Sequence, residues 1–470
     1  MDLGLRLFKD DDSPLYVQAA DAVRAKIADG EFRDGDKLPS VRKLSDELGV
    51  NPATIVAAYR ILSNEGLVES RAGSGAYVSG AASPREAKAR GRLPAACDGK
   101  SVVDLAANAP PRSLYPLDAV KRFLAEAVDI DGGCAFDYQD AAGYRPLREA
   151  LASRLCLFRG AEADPDDVHI VSGAQQGLDL VARVLLRRGD VAAIESPGYR
   201  GARDSFLAAG ARIESIPVGD EGLDLDALER LAAARPLRLV YVNPSFQNPT
   251  CSVYAQPDRE RLARMAALHG FFIVEDDQLS ELAYDGVCPP SVRSYDRDGR
   301  VFHVKSFSKT VMPGLRIACL ESASAFRDRV EAGKRAIDLS SNGLMQRVLE
   351  RFLSSGGYDT HLPAVRSRYS QAAAVFCAAL EPYRATGMSW RQPTGGINLW
   401  LSLPAGATAG AITADLALRG LAVAAESGFR HEKGIPPDGH LRVSFGSVAL
   451  ERLEAAARAI GESAIRKGCE

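Results

Sequence analysis

The chain has 470 residues, 46% of them hydrophobic and 25% charged, with a formal net charge of −3, which is the make-up of a soluble globular protein of more than one domain. Its eight cysteines (Cys97, Cys134, Cys156, Cys251, Cys288, Cys319, Cys377 and Cys469) stand singly, which excludes a zinc or redox-pair framework and fits idle thiols in a reducing cytosol; no metal is expected. The start, MDLGLRLFKDDDSP, lacks a basic and apolar leader, and no apolar run approaches roughly twenty residues, so a cytoplasmic location without a membrane partner is expected.

In chain order, Leu15, Val17, Ala20, Val23 and Ile27 fall at helical spacing within residues 14–33, before Gly35 and Pro39 break the pattern. Ser40 is placed to cap a second helix over residues 40–48, and Pro52 opens a third through Thr54, Ala58, Leu62 and Asn64 after the turn Gly49-Val50-Asn51. Two strand-like pieces, residues 66–71 and 76–79, hinge at Gly73-Ser74-Gly75 and predict a β-wing. The stretches LPSVRKLSDELGVNPATIVAAYRIL and GLVESRAGSGAYV resemble the GntR family of winged helix-turn-helix regulators, implying an α+β DNA-binding domain over residues 13–80.

That resemblance implies a double-stranded DNA operator as partner. The third helix would enter the major groove with Asn51, Thr54, Tyr59 and Arg60 near base edges or phosphates. Ser40, Arg42 and the wing residues Arg71, Ser74 and Gly75 would hold the backbone. Residues 13–80 carry eight Lys/Arg against nine Asp/Glu, so the phosphate attraction rests on a one-sided cluster of Lys37, Arg42, Lys43, Arg60 and Arg71. A helical interaction module is the competing reading. Residues 81–101, with Pro84, Pro94 and scattered cations, read as a linker.

From residue 102 to 470 apolar strands alternate with helical segments, as in HIVSGAQQGLDLVARVLL, LRLVYVNPS and FFIVEDD. The alternation predicts an α/β fold with a mainly parallel sheet, whose ligands lie at the carboxyl ends of strands. Strand 168–171 runs into Ser172-Gly173-Ala174-Gln175-Gln176 and a helix starting near Gly177, a phosphate cradle if the helix amides face a ligand. A buried strand, 271–274, delivers Glu275-Asp276-Asp277, and another, 301–304, precedes Ser306, Ser308 and Lys309.

The sequence SFSKT around Lys309, with Arg316 seven residues on, resembles the cofactor lysine of fold-type I aminotransferases, which implies pyridoxal 5'-phosphate and a smaller C-terminal subdomain. By that resemblance Lys309 is the Schiff-base lysine and proton shuttle. Arg316 would clamp the phosphate together with the Ala174 and Gln175 turn, Ser306 and Ser308. Tyr199 would lie on the pyridine face, Asn248 would meet the phenolic oxygen, and Asp276, rather than Asp277, would pair with the ring nitrogen. A surface loop remains an equal local reading for Tyr199. Gln278 stands where close relatives carry a tyrosine, and Cys251 where a glycine is usual. Arg442 would hold a substrate carboxylate, unless it is a strand-edge surface arginine. Tyr138 would reach a partner's cofactor phosphate, which implies a homodimer.

Winged helix, linker and aminotransferase-like domain together resemble the MocR subgroup of GntR regulators. What this implies is a transcription regulator that senses pyridoxal phosphate, an amino compound as its aldimine, or both. The alternative is an active aminotransferase converting an amino acid to its 2-oxo acid, with a fused DNA-binding module.

Overall fold

Helix α1 (Leu15–Ala28), α2 (Val41–Leu48) and α3 (Pro52–Asn64) precede an antiparallel pair, β1 (Val68–Arg71) and β2 (Gly75–Val78). The structure, a computed structural model, describes residues 15–28, 31–32, 35–64, 67–71, 75–78, 102–159, 163–431 and 439–468, in two units, Met1–Gly99 and Lys100–Glu470. The expected linker and Ser74 lie outside the described residues, as does the side chain of Arg71. Ser40 caps α2, its Oγ accepting from Lys43 N at 3.3 Å, and Gly49 closes that helix in the left-handed region at φ 63°. Helix α1 is described to Ala28, and the chain has left the helix by Glu31 and Phe32, short of the expected residue 33, their amides donating to the Lys26 carbonyl at 3.0 and 3.2 Å.

The first unit buries Ala19, Val23, Leu38, Leu44, Ile55, Leu62, Val68 and Val78. Tyr59 belongs to this core, which corrects its expected place on DNA: it is 6% exposed and its hydroxyl donates to the Pro39 carbonyl at 2.7 Å. The reason is helical period, since Tyr59 lies four residues after buried Ile55 and three before buried Leu62. Tyr59→Phe should therefore cost about 1 kcal/mol of stability, by leaving the half-buried Pro39 carbonyl without this donor. Chemical denaturation of the full chain reads that loss, and unchanged DNA affinity below the transition would confirm that the hydroxyl is not a DNA contact.

In the second unit, β4 (Val168–Val171), β5 (Val191–Ser196), β6 (Arg212–Gly219), β7 (Gly222–Leu223), β8 (Leu237–Val242), β9 (Phe272–Asp277), β10 (Val301–Ser306) and β11 (Ala318–Glu321) form one sheet in the order β4-β11-β10-β9-β8-β5-β6-β7. From β10 to β6 every neighbour is parallel, and antiparallel pairs occur only at the edges. Strands β4, β5, β9, β10 and β11 are buried along their whole length, as a sheet covered on both faces requires.

Helix α6 (Ala174–Leu185), which follows α4 (Leu117–Asp131) and α5 (Arg145–Arg159), begins three residues before the expected Gly177. Gly177 is instead an interior packing residue: a Cβ there would meet Val304 Cγ1 at 3.0 Å, so its absence lets the helix lie close on β10. Strand β10 continues two residues past its expected end, to Ser306, because its pairing with β11 runs that far.

A smaller sheet, β12 (Ser389–Trp390), β13 (Asn398–Ser402), β16 (His440–Ser444) and β15 (Ala424–Ala425), builds the C-terminal subdomain around its own apolar cluster. Strand β3 (Val103–Asp104) pairs in parallel with β14 (Leu421–Ala422). Among the described residues no helix is long and apolar enough to cross a membrane, and no group of His, Cys, Asp and Glu could hold a metal ion.

Candidate cofactor site

The carboxyl ends of β4, β9 and β10 open on a cavity of about 360 Å³ that also reaches β16. Ala174, Gln175, Tyr199, Asn248, Asp276, Gln278, Ser306, Ser308, Lys309, Arg316 and Arg442 all line it. These residues span more than 260 positions of sequence, and only the sheet brings them together. Tyr138 is elsewhere, 87% exposed.

Strand alternation sends Asp276 and Asp277 to opposite faces of β9. Asp276 Oδ2 accepts from the Tyr241 hydroxyl at 2.9 Å, while its Oδ1 is buried with no partner. Burial raises this carboxyl to about 6, against the opposing hydrogen bond from Tyr241. Asp277 turns instead to buried Lys305 at 3.0 Å and His303 at 3.4 Å. Burial would raise it, but Lys305 and His303 reverse that and hold it well below the usual carboxylate range.

At the end of β4, Gly173 takes φ 87°, and a Cβ there would lie 2.7 Å from Arg316 Nη2. Only glycine lets that guanidinium approach, and Arg316 Nη2 donates to the Ser172 carbonyl at 2.8 Å. The α6 N-terminus, Arg316 and the hydroxyls of Ser306 and Ser308, 3.2 Å apart, make a place suited to a phosphate dianion. Tyr199 donates to Gln175 Oε1 at 2.8 Å, and Gln175 Nε2 donates on to Ser205 Oγ at 2.9 Å; Tyr199 thus lines the cavity rather than a free loop.

Lys309 Nζ donates to the Asn108 carbonyl. Burial pushes its amine down to about 8, and the nearby Arg442 and Arg316 charges add to that while Asp276 opposes it. Arg442 is buried, which removes the strand-edge reading: β16 lies between β13 and β15. Its Nη1 donates to Asn248 Oδ1 at 3.1 Å and its Nη2 to the Ala106 carbonyl, over the Phe429 ring at 5.0 Å. Asn248 N in turn donates to Asn243 Oδ1 at 2.8 Å, and Asn243 Nδ2 to the Asp276 carbonyl at 2.6 Å, so one amide ties two strand ends together. Cys251 sits at φ 63°, a conformation that glycine adopts freely, and burial pushes its thiol up to about 12.

Sequence reasoning missed Asn108, Arg200 and Phe429, which also line the cavity. Asn108 follows the expected linker in a proline-rich run without periodicity, so nothing local marks it. It also missed the buried charge cluster behind β9, in which Glu281 accepts from Arg154 Nε at 2.9 Å and Tyr358 Oη at 2.9 Å and faces Lys305 Nζ at 3.2 Å.

In the first unit, Lys37, Ser40, Arg42, Lys43, Asn51 and Arg60 are exposed and Thr54 is half-buried. Asn51 Oδ1 accepts from Ala53 N at 2.9 Å, so that side chain caps α3. Val56, 52% exposed, shares the outer face of α3 with Arg60, and Gly75 opens β2 at φ 114°.

Comparison with known proteins defines the class. The profile of aminotransferase class I and II matches residues 100–460, and that of the bacterial regulatory proteins of the gntR family matches residues 15–78. The chain belongs to the aminotransferase class I and II family, fused to a gntR helix-turn-helix region that binds DNA. Within that class it is a pyridoxal-phosphate-dependent transcription regulator of the MocR kind. It is 31% identical to the probable rhizopine catabolism regulatory protein MocR of Rhizobium meliloti, over 84% of this chain and 83% of that protein. It is 34% identical to the HTH-type transcriptional regulator TauR of Rhodobacter capsulatus, over 84% of each. Among solved structures, the α-aminoadipate aminotransferase LysN of Thermus thermophilus, complexed with N-(5'-phosphopyridoxyl)-L-leucine, superposes with TM-score 0.73 at 30% identity, covering 79% of this chain and 93% of that one.

The cavity fits pyridoxal phosphate on its own terms. A buried carboxylate oxygen lacks a donor, a lysine amine is depressed toward neutrality, and a glycine-lined guanidinium stands beside a helix N-terminus.

Proposed function

We propose that this regulator holds pyridoxal phosphate through Lys309 and reads an amino compound bearing an α-carboxylate, whose occupancy sets its affinity for an operator. The observation that carries this reading is the cavity itself, where Lys309, the unpaired Asp276 Oδ1 and the buried Arg442 guanidinium stand together. When bound, the cofactor supplies an electron sink for the carbon bearing the amino group. Asp276 would keep the ring nitrogen protonated, Arg316 with Ser306, Ser308 and the Ala174–Gln175 turn would hold the phosphate, and Tyr199 would cover one ring face. Asn248 and Gln278 would face the phenolic oxygen. Gln278 cannot ionise there as a tyrosine can, which favours a sensor over efficient turnover.

Exposed Ile130 at 73%, Phe136 at 65% and Tyr138 at 87%, close together in sequence, support a homodimer that would cover them. Tyr138 would then reach the partner's phosphate. On the first unit, Lys37, Arg42, Thr54 and Arg60 form the DNA face, with Asn51 setting the start of α3. Arg60→Ala should weaken binding to any duplex and lower the slope of log affinity against log salt by about one. An unchanged slope in a salt titration would remove Arg60 from the phosphate contacts.

The deciding experiment follows the absorption spectrum of protein loaded with pyridoxal phosphate through a panel of amino acids, amines and 2-oxo acids, then measures operator affinity with each responder. A spectral change that stops at bound ligand and alters DNA affinity supports the sensor. Sustained exchange of amino groups without effect on DNA would make the chain an aminotransferase. The rate of cofactor capture should rise with pH and level off above about 8, where the buried Lys309 amine is free of its proton. Arg442→Gln should move that inflection upward, by removing a cation that helps to depress the amine.

A further inference from the structure

Two of the three cations assigned to ligands, Lys309 and Arg442, are engaged by the main chain of one short segment. Arg442 Nη2 donates to the Ala106 carbonyl and Lys309 Nζ to the Asn108 carbonyl. That segment is hydrogen-bonded to neighbouring strands at its start and runs at its far end into buried Pro110 and Pro111. Strand β3 pairs with β14, Ser444 N donates to the Leu105 carbonyl at 2.7 Å, and Ser447 Oγ donates to the Asp104 carbonyl at 3.1 Å. Asp104 Oδ1 then accepts from the amides of Ala106 and Ala107, each at 2.9 Å, and turns the chain toward the cavity. At its far end Asn108 Oδ1 is buried with no partner. In the other direction the chain runs from Asp104 through residues 79–101 to the DNA-binding unit.

We propose that residues 104–109 are an internal strap held by Lys309 and Arg442 and released when ligands take those groups, passing occupancy to the chain that leads to the DNA-binding unit. This rests on the assignment of Lys309 to the cofactor and Arg442 to a carboxylate. A Lys309 amine committed to the cofactor no longer serves the strap, and a carboxylate on Arg442 competes with the Ala106 carbonyl for its N–H groups; a carbonyl left inside the cavity without a donor is costly, so the strap gains by turning to water. The coupling is reciprocal: ligands that free the strap bind more tightly to protein in which the strap is already loose.

Hydrogen exchange on the full chain tests this, read on peptides spanning residues 102–111. Loading with pyridoxal phosphate, verified by its absorption, should speed exchange of that segment on the order of tenfold, with β8 and β9 unchanged. Lys309→Met and Arg442→Met should each do the same in the absence of any ligand. Loaded protein with unchanged exchange in the segment, or two variants that leave it unchanged, would overturn the strap. Exchange that rises equally in β8 and β9 marks general loosening and overturns it as well. Failure of the wild-type chain to load would defeat the cofactor assignment, while the two ligand-free variants would still decide whether the carbonyls hold the strap.

Discussion

Lys309→Ala protein should carry no cofactor through borohydride reduction and denaturation, whereas wild-type protein should carry one reduced adduct per chain, read by intact mass. The amine is the one nucleophile in the cavity depressed toward neutrality, to about 8, chiefly by burial. Buried Lys305 is not a substitute: burial alone would depress it, but Asp277 and Glu281 reverse that and hold its ammonium charged and committed. The variant should still bind pyridoxal phosphate reversibly, because Arg316 and the α6 N-terminus do not depend on the lysine. Arg316→Ala should weaken that residual binding by roughly 1.5–3 kcal/mol, the range of a hydrogen bond to a charged group. An adduct that persists in Lys309→Ala would transfer the role to another amine and defeat the proposed site.

Glu281→Ala should destabilise the second unit by about 3–5 kcal/mol, because it strips the shared counter-charge from two buried cations. Glu281 is fully buried, with Arg154 on one side, Lys305 on the other and the Tyr358 hydroxyl donating at 2.9 Å. Its carboxyl is held below the usual range, burial being outweighed by Lys305 and Arg154. A depressed carboxylate adds stability above its unfolded value that is lost as pH falls through the lower folded value. The deficit of Glu281→Ala against wild type should therefore be full near neutral pH and shrink on acidification below about 4.5, the ordinary glutamate value. Urea denaturation at several pH values measures it, and a deficit independent of pH would show that packing, not charge, is what Glu281 contributes.

Much of the molecule was legible because its signals are local. A serine before a helix, a glycine after it and a proline at a first helical position place α2 and α3 whatever surrounds them, and the caps at Ser40 and Gly49 follow. Apolar runs ending in Asp276 or approaching Lys309 mark strand ends, and the parallel sheet turns strand ends into one cavity. Where the reading failed, burial overrode residue type. Tyr59 looks like a DNA contact by composition and is core by helical phase. Gly177 looks like a helix start and is a packing gap against Val304.

By itself, then, the sequence placed the helices and wing of the first unit and several strand ends of the second, since propensity, capping and strand-end chemistry act over a few residues, while the domain types and the side chains expected at pyridoxal phosphate came from resemblance to known families. Only the tertiary structure decided that Asp276 keeps one oxygen free while Asp277 is spent on Lys305, that Arg442 is buried beside Asn248, and that the carbonyls of Ala106 and Asn108 reach the two cations. Those outcomes depend on which groups from distant segments meet in a region closed to water, where each unpaired charge or carbonyl is costly, and no local pattern encodes such meetings.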